Sequence, residues 1–181
     1  MAKVKGKEWY QIVAPKMFGN KVLGETFALD PDAIPSRVMA ATLLDLTGEP
    51  SKYYFKLFFR ITDLKGGKAN TTFVGHECTR DYIARVVSIR TNRIDTNNVF
   101  HLKDARIRVK TIAITTRHVR ASVATDIRKK IGELLSERLS KMSLEDFVKE
   151  MVAGKIQSYV RFEVNKVYPL RAFEINKTGV F

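Results

Sequence analysis

The stretch that decides the fold is Ala105-Arg106-Ile107-Arg108-Val109-Lys110-Thr111-Ile112-Ala113-Ile114-Thr115-Thr116. Its first half alternates between cationic and apolar residues with the period of a β-strand. Arg106, Arg108 and Lys110 therefore share one face, and Ile107, Val109 and Thr111 share the other. The cations stand about 7 Å apart along the strand, comparable with the spacing of backbone phosphates. One face belongs to a core. The other belongs to solvent or to a polyanion, since a solvated face carrying cations for solubility or edge protection shows the same alternation.

Working outward, Arg93 to Leu102 reads as a second strand, joined to the first by the tight connection Lys103-Asp104. Before it, Tyr82, Ile83, Val86, Val87 and Ile89 recur at spacings of three and four between Thr79 and Arg90. That is the pattern of a short helix capped by Thr79 or Asp81. Ala69 to His76 is a strand entered from the Gly66-Gly67 turn, and Tyr53 to Leu64 is another, with Phe55, Leu57, Phe59 and Ile61 on one face. Arg37 to Leu46 reads as the strand that pairs with it across Gly48-Glu49-Pro50-Ser51. Glu8 to Val13 and Lys21 to Leu29 are short extended stretches at the start.

Downstream, Val123, Ile127, Ile131, Leu134, Leu135, Leu139 and Met142 mark a long amphipathic helix, with Ser122 as its expected N-cap. Ser143-Leu144-Glu145-Asp146 opens a second helix that runs to about Val152 and closes at Gly154. Tyr159 to Val167 and Leu170 to Lys177 read as two extended segments hinged at Pro169, the first with a helical alternative. Together these elements predict an α+β chain. We expect an antiparallel, barrel-like sheet flanked by helices, in a single domain over residues 21–181, preceded by an extended basic arm over residues 1–20.

Composition narrows the function. The chain has 181 residues, and 32 Lys+Arg against 19 Asp+Glu leave a net charge of +13 at pH 7. A balance of this size points to a polyanion partner, with nucleic acid foremost. With 45% hydrophobic residues there is apolar side chain enough for a core. The apolar runs are far shorter than the roughly 18 residues of a membrane span, and MAKVKGKEW lacks the apolar centre of a signal peptide, so neither spanning nor secretion is expected. A single cysteine, Cys78, excludes an internal disulfide and a cysteine-based zinc site, and suits the cytoplasm.

Beyond the alternating strand, Arg117, His118 and Arg120 precede the long helix, and Arg128, Lys129 and Lys130 lie within it. A helix N-terminus adds partial positive charge and free N–H groups beside them. Arg85, Arg90 and Arg93 form a third group. Lys3, Lys5 and Lys7 surround Trp9 and Tyr10, whose rings could stack on a base or staple the arm to the domain.

Catalysis has no visible basis. Gly75-His76-Glu77-Cys78 resembles the first half of a zinc deaminase motif, but the second half needs further cysteines. His76, His101 and His118 never fall at metal-binding spacing, and phosphate-loop, dinucleotide and nucleophile-elbow motifs are missing from the sequence. No catalytic residue, cofactor, metal or small-molecule substrate is expected.

Three ordered runs, Gly75-His76-Glu77-Cys78-Thr79-Arg80-Asp81-Tyr82-Ile83, Arg90-Thr91-Asn92-Arg93-Ile94-Asp95 and Arg106-Ile107-Arg108-Val109-Lys110, carry a family resemblance. With Lys7-Glu8-Trp9-Tyr10, Ala14-Pro15, Ile127-Arg128-Lys129 and Val167-Tyr168-Pro169-Leu170-Arg171, the chain resembles the archaeal version of the small-subunit ribosomal protein family eS-one, also called S-three-Ae. The resemblance implies a structural rRNA-binding protein of the small-subunit platform, near the messenger exit and the 3′ end of the small-subunit rRNA. Its implied partners are that rRNA, neighbouring ribosomal proteins and exiting messenger RNA. It also implies a barrel-like sheet with helices, no catalysis and no cofactor. The matched cations Arg90, Arg93, Arg106, Arg108, Lys110, Arg128 and Lys129 become the expected rRNA contacts. A free single-stranded RNA-binding module or a translation-associated factor is the alternative reading.

Overall fold

Strand periodicity and turn chemistry produce most of the expected elements in the computed structural model, which describes residues 8–181. The chain forms two units that divide between Gly75 and His76. Among the described residues there are eight strands and five α-helices, an α+β arrangement.

The first unit holds β1 (Glu8–Val13), β2 (Val22–Ala28), β3 (Val38–Thr42), α1 (Leu43–Thr47), β4 (Phe55–Lys65) and most of β5 (Lys68–Cys78). β1 pairs antiparallel with β2 and parallel with β5, and β4 pairs with both β3 and β5. The sheet is thus mixed rather than wholly antiparallel. It curls round a core of Tyr10, Ile12, Ala28, Ile34, Ile61 and Ala69, with Leu23, Met39 and Leu64 packed against them. Among the described residues the curl does not close, because β2 and β3 share no ladder. Side chains span the gap instead: Arg37 donates to the Thr26 hydroxyl and the Phe27 carbonyl at 3.0 and 3.1 Å. A Cβ at Gly24 would come within 2.9 Å of Met39 Cε, the movable end of a side chain on β3. Of the expected basic arm, Glu8–Val13 is a strand paired on both sides, and residues 1–7 lie outside the described residues.

The strand expected from Arg37 to Leu46 stops at Thr42, because Thr42-Leu43-Leu44-Asp45 is a capping box. The Asp45 N–H donates to Thr42 Oγ1 at 3.3 Å, and the Asp45 carboxylate accepts from the Thr42 N–H at 3.2 Å. The Thr42 hydroxyl, donating to the Asp45 carboxylate at 2.5 Å, and then the Thr42 N–H hold that carboxyl below its ordinary pKa, and Leu43 and Leu46, three apart, are both buried.

In the second unit α2 (Arg80–Val86) follows the end of β5; then come β6 (Arg93–His101), β7 (Arg106–Thr115), α3 (Ala121–Leu139), α4 (Leu144–Ala153), α5 (Lys155–Val164) and β8 (Leu170–Val180). β7 is central, antiparallel to β6 on one side and β8 on the other. Ile107, Val109, Thr111, Ile94, Thr96 and Phe100 turn to the buried face. Against that face α3 lays Ile127, Ile131, Leu134, Leu135 and Leu139, each buried and each contributing about 1.5–3 kcal/mol by leaving water. Approach is close at Gly132, where a Cβ would stand 3.3 Å from Asn98 Nδ2.

Two helix expectations shift. α3 begins at Ala121 with Arg120 rather than Ser122 as N-cap, because the loop is fastened just before it by Asn92 Nδ2 donating to the Val119 carbonyl at 3.2 Å. The expected extended segment Tyr159 to Val167 is largely helix α5. Ile156, Val160 and Val164 recur every four residues, and all are buried. Packing of that stripe against α3 and β8 overrides the strand preference of Tyr159, Val160 and Phe162.

Candidate nucleic-acid interface

The outer face of β7 carries the alternation first seen in the sequence. Arg106, Arg108 and Lys110 are all exposed, and Ile107 and Val109 between them are buried. Pairing sets His101 beside Arg106, Val99 beside Arg108 and Asn97 beside Lys110 on β6. On the other side β8 sets Lys177 opposite Lys110 and Gly179 opposite Arg108. Lys177 was not among the expected contacts, because its neighbour in space is 67 positions away in sequence. Like charges directly opposite one another on adjacent strands are destabilising. Lys177 is relieved by Glu77, whose carboxylate accepts from its ammonium at 2.9 Å. Among the described residues no carboxylate lies within ion-pair distance of Arg106, Arg108 or Lys110.

The pairing slips by one residue between Lys110 and Thr111, leaving Asn176 as the extra residue of β8. Near this bulge a cavity of about 340 Å³ is lined by Arg93, Asp95, Asn97, Lys110 and Asn176, among others. Arg93 is exposed but pairs with Asp95 at 3.0 Å. A second slip leaves Arg171 as the extra residue, and it donates to Ser88 Oγ.

A second group gathers where β6 starts and β7 ends, since the two strands are antiparallel. The turn Ser88 to Thr91 is closed by Thr91 Oγ1 donating to the Ser88 carbonyl at 2.7 Å, and Arg90 sits in the left-handed region at φ +73°. Thr115 Oγ1 donates to the Arg117 carbonyl, and His118 Nδ1 donates to Asn92 Oδ1. Exposed Arg90, Arg93, Arg117, His118 and Arg120 therefore surround one end of the sheet. Arg85 lies on the exposed last turn of α2, donating to the Asp81 carbonyl at 3.3 Å.

Arg128 and Lys129 are exposed and Lys130 is half-buried on α3. Because α3 lies against the inner face of β6, these three lie on the opposite side of the sheet from Arg106, Arg108 and Lys110. The structure therefore does not gather all the expected cations on one surface. Lys3, Lys5 and Lys7 fall outside the described residues. Trp9 is 66% exposed and packs against Phe27 with ring centroids 5.3 Å apart. Tyr10 turns into the first unit's core, and its hydroxyl donates to Glu8 at 3.0 Å.

His76 and Cys78 are core residues. His76 Nε2 donates to the Ile175 carbonyl at 2.9 Å and Nδ1 accepts from the Thr178 hydroxyl at 2.7 Å, which fixes a neutral ring. Burial pushes the His76 pKa down to about 4 and that of the Cys78 thiol up to about 12. Neither is free to bind a metal, and among the described residues no group of three or more His, Cys, Asp or Glu could hold one. Nearby, Tyr82 pins α2 to β8 by donating to Glu174 at 2.9 Å, and burial raises the Glu174 pKa. The acidic residues of α4 are engaged as well: Glu150 pairs with Arg138 at 2.7 Å and Glu145 with Lys149 at 3.7 Å. Among the described residues no helix is long and apolar enough to cross a membrane.

The family model for the ribosomal S3Ae family matches residues 1–181. The chain is 41% identical over 177 residues to the small ribosomal subunit protein eS1 of Sulfurisphaera tokodaii, covering 97% of this chain and 92% of that protein. It is 39% identical to the protein of the same name from Methanobrevibacter smithii, with the same coverage, and 40% identical to that of Saccharolobus islandicus, covering 98% of this chain and 86% of the relative.

Proposed function

The chain belongs to the ribosomal S3Ae family, and from that premise we propose that rRNA lies across the outer face of β7 and holds the protein in the small ribosomal subunit. As a member of that family it is a structural, non-enzymatic constituent of the small subunit, a ribonucleoprotein component that serves translation on the cytoplasmic ribosome. The observation that carries the interface is a strand buried on one face whose other face presents Arg106, Arg108 and Lys110 with no carboxylate partner among the described residues. Each phosphate contact there releases about one counterion, so binding is steeply salt-dependent and nearly blind to base identity.

In this reading Arg90, Arg93, Arg117 and Arg120 extend the contact round the end of the sheet. Arg85 adds a contact from the end of α2, and the α3 group Arg128, Lys129 and Lys130 meets a separate RNA segment, since α3 lies on the opposite side of the sheet from Arg106, Arg108 and Lys110. Lys3, Lys5, Lys7 and Trp9 add a contact from the basic arm of residues 1–20, beside the domain of residues 21–181. The site is the subunit platform, near the messenger exit and the 3′ end of the rRNA, with neighbouring ribosomal proteins and exiting messenger RNA as further partners. Exposure of Trp9 favours one second reading, a free single-stranded RNA-binding module. Sedimentation of cell extract through sucrose at moderate and high salt separates the two: a ribosomal protein migrates with small subunits at moderate salt, and a free module stays at the top in both gradients.

A further inference from the structure

On the outer face of the second unit, Phe181 carries an aromatic ring that packing leaves largely exposed. Phe181 follows β8 and is 69% exposed, although its backbone is fixed by its N–H donating to the Arg106 carbonyl at 3.0 Å. The guanidinium carbon of Arg108 stands 5.1 Å from the ring centroid, within cation–π range. Ring and guanidinium border a cavity of about 180 Å³ that is also lined by Lys110, Lys177, Thr178 and Gly179. Gly179 is paired with Arg108, and a Cβ at Gly179 would meet nothing within 4 Å, so the floor between Arg108 and Phe181 is open.

We infer that Phe181 and Arg108 form a stacking platform for a single unpaired RNA base, with Lys110 and Lys177 placed for the phosphates on either side of it. The inference rests on the rRNA reading above and adds a contact that phosphate neutralisation does not supply. A solvent-exposed ring gains little from water. Placed beside Arg108 and Lys110, which attract a polyanion, and near Lys177, whose charge Glu77 partly offsets, it meets nucleobases, and every base has a π-face to offer. A duplex keeps its bases in their own stacks, so the platform discriminates single-stranded from double-stranded RNA without reading sequence.

The test measures binding of the full chain to an oligoadenylate of about twelve nucleotides and to a duplex of the same length, over a salt series. For Phe181→Ala we expect about a tenfold loss of affinity for the single strand, an unchanged salt slope and unchanged duplex binding. Phe181→Trp should restore single-strand affinity, which excludes loss of folding as the cause. Equal losses on both RNAs, or no loss on either, overturn the platform. If Arg108→Glu weakens both RNAs while Phe181→Ala changes neither, the platform falls and the rRNA face stands. If the unaltered chain binds neither RNA at low salt, both fall.

Discussion

Over Arg106 to Thr111 the two faces of β7 do opposite things. On the inner face Ile107 and Val109 are buried, and even the polar pair Thr96 and Thr111 satisfies itself with a 2.7 Å hydrogen bond. On the outer face three exposed cations stand in a row, and a fourth, Lys177, is set directly opposite one of them. Folding completes the first face and leaves Arg106, Arg108 and Lys110 on the second without a carboxylate partner among the described residues, while Glu77 pairs Lys177. Core interactions therefore govern stability, whereas the outer cations govern association and contribute little to the fold.

The sharpest way to break that comparison is on the inner face. Ile107→Ala removes a fully buried side chain and should lower the unfolding free energy by about 4 kcal/mol, read from urea denaturation. RNA affinity per folded molecule should not change. A loss below about 1 kcal/mol would mean that the inner face is not the structural one.

Next in size is His76, the core histidine whose pKa falls from 6.5 to about 4 because burial disfavours its charged form. Between those values the unfolded chain binds a proton that the folded chain refuses. Stability therefore declines as pH drops from about 6.5 towards about 4, by up to about 3 kcal/mol. Urea titrations of the unaltered chain and of His76→Gln at pH 7 and pH 4.5 should show the gap between them narrowing at the lower pH. A constant gap would mean that His76 titrates alike in the folded and unfolded chains, and a widening one that it is charged in the fold.

On the outer face, Arg106→Glu with Arg108→Glu should weaken rRNA binding about a hundredfold near 0.15 M salt and reduce the slope of log K against log salt by about two. The thermal midpoint should move by no more than a few degrees, since both side chains are exposed and neither is ion-paired among the described residues. A large fall in the midpoint would place these residues in the fold rather than at the interface. The smallest effect belongs to the first unit: Thr42→Ala removes the α1 cap and should cost about 1 kcal/mol of that unit's stability, with RNA binding unchanged.

Much of this was legible in the sequence where the signal is local. Period two along Arg106 to Thr111 placed three cations on one face, and spacings of three and four placed α2 and α3. The errors lie where local preference and context compete. Val38-Met39-Ala40-Ala41 continues into Leu43-Leu44 as an apolar run, and the box at Thr42 and Asp45 that ends the strand is only four residues long. Tyr159, Val160 and Phe162 favour strands, but Ile156, Val160 and Val164 need a helix to reach the core together. The site was legible in part for the same reason. That Lys177 and Phe181 join Arg108 and Lys110 depends on β8 pairing with β7 across some seventy residues, which no short-range pattern encodes. The split of the α3 cations from the β7 cations depends on which face the helix covers, and periodicity does not specify that.

The central claim is that the outer face of β7 is the rRNA face. It is tested most directly by expressing the Arg106→Glu, Arg108→Glu chain beside the unaltered one and sedimenting both extracts through sucrose at moderate salt. The account predicts that the unaltered chain migrates with small subunits, while the variant, folded by circular dichroism, stays near the top. Equal migration of both with the small subunit would contradict it.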